Sequence, residues 1–121
     1  MTKVMLVEDD LTMLSLMGSL LEFEGFEVVE LDGNGRPESL MVTIRRQLPD
    51  LVILDVYLRH ANGFDLLHQV RQDEELKSVR VLMSSGMDLS SRCIDEGADG
   101  FIMKPYMPDD LISKIRHMLG E

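Results

Sequence analysis

Short, almost unbroken apolar runs alternate along the chain with longer stretches in which apolar residues recur every three or four positions. The first kind reads as strands covered on both faces, the second as helices that bury one stripe. "KVMLV" (3–7) is the first strand. After it, Asp10 or Thr12 offers an N-cap, Leu14, Met17, Leu20 and Leu21 keep helical spacing, and Gly25 supplies a stop. "FEVVEL" (26–31) alternates apolar and acidic residues, which predicts a strand with one wetter face. "DGNGRPES" (32–39) reads as a loop from its Gly, Pro and Asn, and a helix is predicted over 40–48, through Ile44 and Leu48, stopped by Pro49. "DLVILD" (50–55) is the most apolar strand and ends in an acid. "VYLRHANG" (56–63) reads as a loop and 64–71 as a helix. "VRVLMSSG" (79–86) and "GFIMKP" (100–105) supply strands four and five, with a short helix near 89–96 between them. A last helix begins at residue 108 and carries Leu111, Ile112, Ile115, Met118 and Leu119 on one face.

Five strands alternating with five helices imply βαβ crossovers and a parallel α/β sheet. There is no internal repeat, low-complexity tract or linker, so residues 1–121 read as one domain. In such sheets ligands bind beyond the carboxyl ends of the strands, where the strand order reverses. Glu8 and Asp9 lie just past strand one, Asp55 ends strand three, Ser84 and Ser85 end strand four, and Lys104 ends strand five. Polar groups from four segments thus arrive at one edge.

Composition narrows the function. Apolar residues make up 45% and charged residues 28%, the balance of a globular domain rather than a disordered tail. The 22 acids against 12 bases leave a net charge of -10, which argues against direct nucleic-acid contact by this domain. Cys93 is alone, so no internal disulfide is expected, and no Cys/His metal motif is present. Residues 1–7 are too short for a signal peptide, and no apolar run reaches membrane-spanning length. The expectation is a cytoplasmic domain without a membrane anchor.

Three converging carboxylates repel one another unless a cation lies among them. Oxygen ligands without His or Cys suit Mg2+, or Mn2+. Asp55 is also a candidate nucleophile, because a carboxylate can accept a phosphoryl group as an acyl phosphate. Lys104 can hold a phosphoryl oxygen as a point charge, and a serine hydroxyl can donate to another. In-line positioning and charge neutralisation are what phosphoryl transfer mainly requires.

"LVEDD", "LVILDVYLRHANGFDLL", the hydroxyl residue closing strand four, "GADGFIMKPY" and the final helix together resemble the receiver domain of bacterial two-component response regulators, of the chemotaxis-regulator kind. The resemblance covers the whole chain. It implies a flavodoxin-like, doubly wound (βα)5 three-layer sandwich with sheet order 2-1-3-4-5. It makes Asp55 the phosphoacceptor, served by a sensor histidine kinase or a histidine phosphotransfer protein. Asp9 and Asp55 would ligate Mg2+ directly, with the backbone carbonyl of Tyr57, and Glu8 would act through water. Ser85 and Lys104 would contact the phosphoryl group, Phe101 would be the switch aromatic, and the Lys104–Pro105 bond would be cis. The implied protein gains and loses its own phosphoryl group and does not turn over an external substrate. A downstream protein target, an output domain beyond the final helix, or a phosphorylation-dependent homodimer is compatible with it.

The chain departs from the family pattern at Arg59, where Pro is common, and at Phe101, where Tyr is commoner. The stretch from Ser85 to Lys104 runs short, which predicts a trimmed fourth helix, and "DGNGRPES" runs long. Ser84 reads as a strand-end serine, with the phosphate contact as its alternative. Phe101 reads equally as core packing. Asp10 reads as a cap, and His60, His68 and His117 are dispersed. A flavin-binding flavodoxin would need a phosphate-cradling loop where "EDDLT" stands. An aspartyl-phosphate phosphotransferase commonly has an acid two positions after the nucleophile, where Tyr57 stands. A docking module that is never phosphorylated would not need the full set of acids, hydroxyl and lysine.

Overall fold

The apolar runs fold into strands because each can bury both faces only between helices. A computed structural model describes residues 1–121 and holds five strands and five helices in strict alternation. The strands are β1 (Lys3–Glu8), β2 (Glu27–Asp32), β3 (Leu51–Asp55), β4 (Arg80–Ser85) and β5 (Gly100–Met103). The helices are α1 (Leu11–Phe23), α2 (Pro37–Gln47), α3 (Gly63–Gln72), α4 (Ser90–Asp95) and α5 (Pro108–Met118). All neighbouring strands pair in parallel, in the order β2-β1-β3-β4-β5. This is the flavodoxin-like doubly wound sandwich.

Strand alternation sorts the core into two layers. Met5, Val7, Val52, Leu54, Val81 and Met83 pack with Leu40 and Ile44 of α2, Phe64 and Leu67 of α3, and Cys93 of α4. On the other face Leu6, Ile53, Leu82 and Ile102 meet Leu14, Met17 and Leu21 of α1 and Leu111 and Ile115 of α5. Each fully buried aliphatic side chain contributes roughly 1.5–3 kcal/mol relative to exposure. The central strands are therefore anchored firmly enough to hold polar groups at their ends.

Several boundaries differ from the sequence expectation. The predicted loop 32–39 ends at Arg36, because α2 starts at Pro37, three residues before the predicted start at 40. Proline ends helices from within but suits their first turn, where its missing N–H is not needed. Leu48 lies outside α2 as a left-handed cap (φ 46°), its N–H donating to the Ile44 carbonyl. At the start of α1 it is Asp10, rather than Thr12, that caps, accepting from the Met13 N–H at 3.1 Å. The fourth helix is indeed short, at 6 residues. The Lys104–Pro105 peptide is cis.

Two glycines set the carboxyl edge. Gly63 donates its N–H to the Val56 carbonyl at 2.6 Å, and a Cβ there would lie 2.2 Å from the Asp55 carbonyl oxygen. Gly33 likewise donates to the Glu8 carbonyl at 2.8 Å, and its Cβ would lie 2.7 Å from the Glu8 carbonyl carbon. Only a residue without a side chain lets these loops close so tightly on β1 and β3.

Candidate functional site

Register explains which side chains meet. Leu6 is opposite Ile53 and Val7 opposite Leu54, where the ladder ends, so the same register carried one residue further sets Glu8 level with Asp55. Asp55 is in turn opposite Ser84. Side chains alternate along a strand, so Glu8, Asp55 and Ser84 project to the face of Leu6, Ile53 and Leu82. Lys104, two residues past Ile102, reaches the same face. The result is a polar row at the end of an apolar layer.

The four buried polar or charged side chains of the whole chain are Glu8, Asp55, Ser84 and Ser85. They all lie at this edge. The Lys104 Nζ donates to Asp55 Oδ2 at 2.9 Å and to the two Glu8 oxygens at 3.2 and 3.3 Å. The Ser84 hydroxyl donates to Asp55 Oδ1 at 2.5 Å. Both oxygens of Asp55 are thus engaged, by different elements. Ser85 faces the other way along β4, its Oγ accepting from the Met87 N–H at 3.2 Å, yet it lines the same cleft as Asp55, Tyr57, Gly86 and Lys104.

Asp9 is held from two loops. Its Oδ2 accepts the Arg59 backbone N–H at 2.9 Å, and its carbonyl accepts from the Asn34 side chain at 3.0 Å. A proline at 59 could not make the first of these bonds. Carboxylate oxygens of Glu8, Asp9 and Asp55 lie within 4.8 Å of one another. Three hard oxygen donors at that spacing, with no nitrogen or sulfur among them, fit a small divalent cation such as Mg2+ or Mn2+.

Burial and the crowding of charged groups dominate the electrostatics of the site. Burial, then the hydrogen bond and charge of Asp55, push the Glu8 carboxyl up to about 8, with Lys104 opposing them. Burial alone would depress Lys104, but bonding to Asp55 and the charges of Asp55 and Glu8 outweigh it and raise the ammonium. Tyr106, whose hydroxyl donates to Met17 Sδ at 3.2 Å, is raised by burial and then by Asp55 and Glu8.

The structure therefore brings Glu8, Asp9, Asp55 and Lys104 together, with Ser85 and the exposed Tyr57 at the cleft. Phe101 lies apart from them, half-buried against the α2–α4 side of the core and opposite Met83 in the ladder. Sequence reasoning did not find the Ser84 bond to Asp55 or the Arg59 N–H on Asp9. The first has a sequence signal, since Ser84 keeps parity with Leu82; the second, a backbone contact, has none.

A family model described as "Response regulator receiver domain" matches residues 4–116. Response regulator ArlR of Staphylococcus saprophyticus is 32% identical over 121 residues, covering 98% of this chain and 53% of that protein. The phosphate regulon transcriptional regulatory protein PhoB of Rhizobium meliloti is 32% identical over 120 residues, covering 97% of this chain and 52% of that protein. The chain spans about half the length of these curated relatives. Among solved structures, a CheY-like receiver domain protein from Methanospirillum hungatei superposes with a TM-score of 0.87 at 28% identity, covering 99% of this chain and 94% of that one. Vibrio cholerae CheY4 shares the fold with a TM-score of 0.87 at 22% identity, covering 98% of each chain.

Proposed function

The chain belongs to the response regulator receiver domain family, and on that premise we propose that it is a phosphorylation-activated switch of a two-component system, with Asp55 as phosphoacceptor. One observation carries the reading: all four buried polar side chains of the chain gather at one sheet edge, around a carboxylate already paired with a lysine. Burying charge is costly, and a fold keeps such a cluster where it performs chemistry.

In this reading Asp55 Oδ2 attacks the phosphorus of a phosphohistidine on a sensor kinase or phosphotransfer protein. The O–P bond forms as the P–N bond breaks, and the imidazole leaves with the electron pair and takes up a proton. Lys104, beside Oδ2, stabilises the charge on the incoming oxygens, and Ser85 at the cleft donates to another. Asp9, Asp55, the Tyr57 carbonyl and, through water, Glu8 would hold Mg2+ or Mn2+, whose charge offsets that of the phosphoryl oxygens. Phosphorylation adds charge and acceptors at this edge, drawing Ser85 inward and letting Phe101 rotate, which biases the α4–β5–α5 face.

Residues 1–121 act as one receiver unit in the cytoplasm. The signal passes to a downstream protein, to an output segment of a longer polypeptide, or to a phosphorylation-dependent homodimer. The net charge of -10 keeps this domain itself off nucleic acid. No helix is long and apolar enough to cross a membrane.

Incubation with acetyl phosphate and Mg2+, followed by intact mass, tests the proposal. The mass should rise by one phosphoryl group, and Asp55→Asn should abolish the rise. Equal labelling of that variant would remove Asp55 as the acceptor.

A further inference from the structure

We propose that Ser84 sets the lifetime of the phosphoryl group on Asp55, by donating a hydrogen bond to the carboxylate oxygen that does not carry it. The inference rests on the reading of Asp55 as phosphoacceptor. It concerns a different hydroxyl from Ser85, which the family resemblance assigns to the phosphoryl group.

Ser84 is 1% exposed, and its hydroxyl has one proton to give. That proton goes to Asp55 Oδ1, while Lys104 takes Oδ2. The two oxygens are thereby made unequal. Oδ2, beside the ammonium, is the one that meets an anionic phosphoryl group, and Oδ1 becomes the carbonyl oxygen of the acyl phosphate. The backbone that carries Ser84 stays in place when this happens. Its strand is paired on both sides, with Asp55 and with Ile102, and its carbonyl accepts the Val56 N–H at 2.9 Å.

The same hydroxyl thus faces a charged oxygen before phosphorylation and a neutral one after it. Hydrogen bonds to ionised acceptors are the stronger, so Ser84 favours the unphosphorylated form. It also acts on the path back. In hydrolysis, water attacks phosphorus, the P–Oδ2 bond breaks, and its electron pair returns to the carboxylate. Inorganic phosphate and a proton leave. Charge therefore grows on Oδ1 in the transition state, where a fixed donor already waits. Removing the donor should lengthen the life of the acyl phosphate.

Ser84→Thr and Ser84→Val separate this from simple packing, because the two substitutes share a shape and differ by the hydroxyl. Each protein is loaded with acetyl phosphate and Mg2+, freed of donor, and followed by intact mass. The valine variant should hold its phosphoryl group roughly three- to tenfold longer than the threonine variant, as expected when a charge-assisted bond is about twice as strong as a neutral one. Ser84→Ala, which leaves space rather than filling it, should also outlast wild type. Equal lifetimes for valine and threonine, or a shorter one for valine, overturn the inference while leaving Asp55 as acceptor. A wild-type protein that takes no phosphoryl group overturns both.

Discussion

The two halves of the sheet's carboxyl edge are built to different standards. At β1 and β3 the acids are the last residues of strands buried along nearly their whole length, and glycine loops close on them at contact distance. β4 is as long and as deeply buried as β1, but β5 and α4 beside it are slight. The last strand has 4 residues, α4 has 6, Phe101 is only half-buried, and Met87 and Met103 are exposed. Lys104 is the tie between them, reaching from the end of β5 to both acids. The rigid half suits chemistry, which needs fixed geometry; the lighter half suits a surface with two arrangements, because few buried contacts resist the change.

Substituting one glycine in each half should break the comparison most sharply. Gly63→Ala forces a methyl group into the Asp55 carbonyl and should cost about 3 kcal/mol or more in urea unfolding. Gly86→Ala, with nothing within 4 Å of the new Cβ, should stay within about 0.5 kcal/mol of wild type. Comparable losses at both positions would erase the distinction.

A smaller effect should come from pH, and only in the rigid half. The Glu8 carboxyl sits at about 8 in the folded chain against 4.5 when free, chiefly through burial and Asp55. Between those values the folded state holds a proton that the unfolded state has lost, so stability falls as pH rises through that window. The urea midpoint of metal-free protein should therefore drop between about pH 5 and about pH 8 and level off above, less so in Glu8→Gln, and Mg2+ should offset the drop because it binds the ionised form. An equal drop in wild type and Glu8→Gln would place the titration elsewhere.

The subtlest effect belongs to the lighter half. Phe101 has no hydroxyl needing a partner, so turning inward carries no polar cost. Binding of beryllofluoride, a phosphoryl mimic, should shift NMR resonances at Asp9, Asp55 and Ser85 strongly, and those of Phe101 and residues 108–118 modestly. Changes confined to the first group would mean that this flank is not where the signal leaves.

Much of this was legible in the sequence, because acids and a lysine at the ends of apolar runs have few other uses. The strands, their alternation with helices, and the convergence of Glu8, Asp9, Asp55 and Lys104 all follow from such runs. What the sequence hid depends on pairing between segments. Two adjacent serines differ in a linear reading only in their parity with Leu82, and it is the alignment of β4 beside β3 that sets Ser84 against Asp55. Pro37 reads as loop in the sequence because proline breaks helices from within, yet in a first turn its missing N–H is not needed.

The backbone N–H of Arg59 on the Asp9 carboxylate gives the loops a shared fate. Asn34 follows β2, Asp9 follows β1 and Arg59 follows β3, and all three meet at one acid. Anything that claims Oδ2 of Asp9 must share it with that amide, so the Arg59 N–H is a built-in gauge of that oxygen's occupancy.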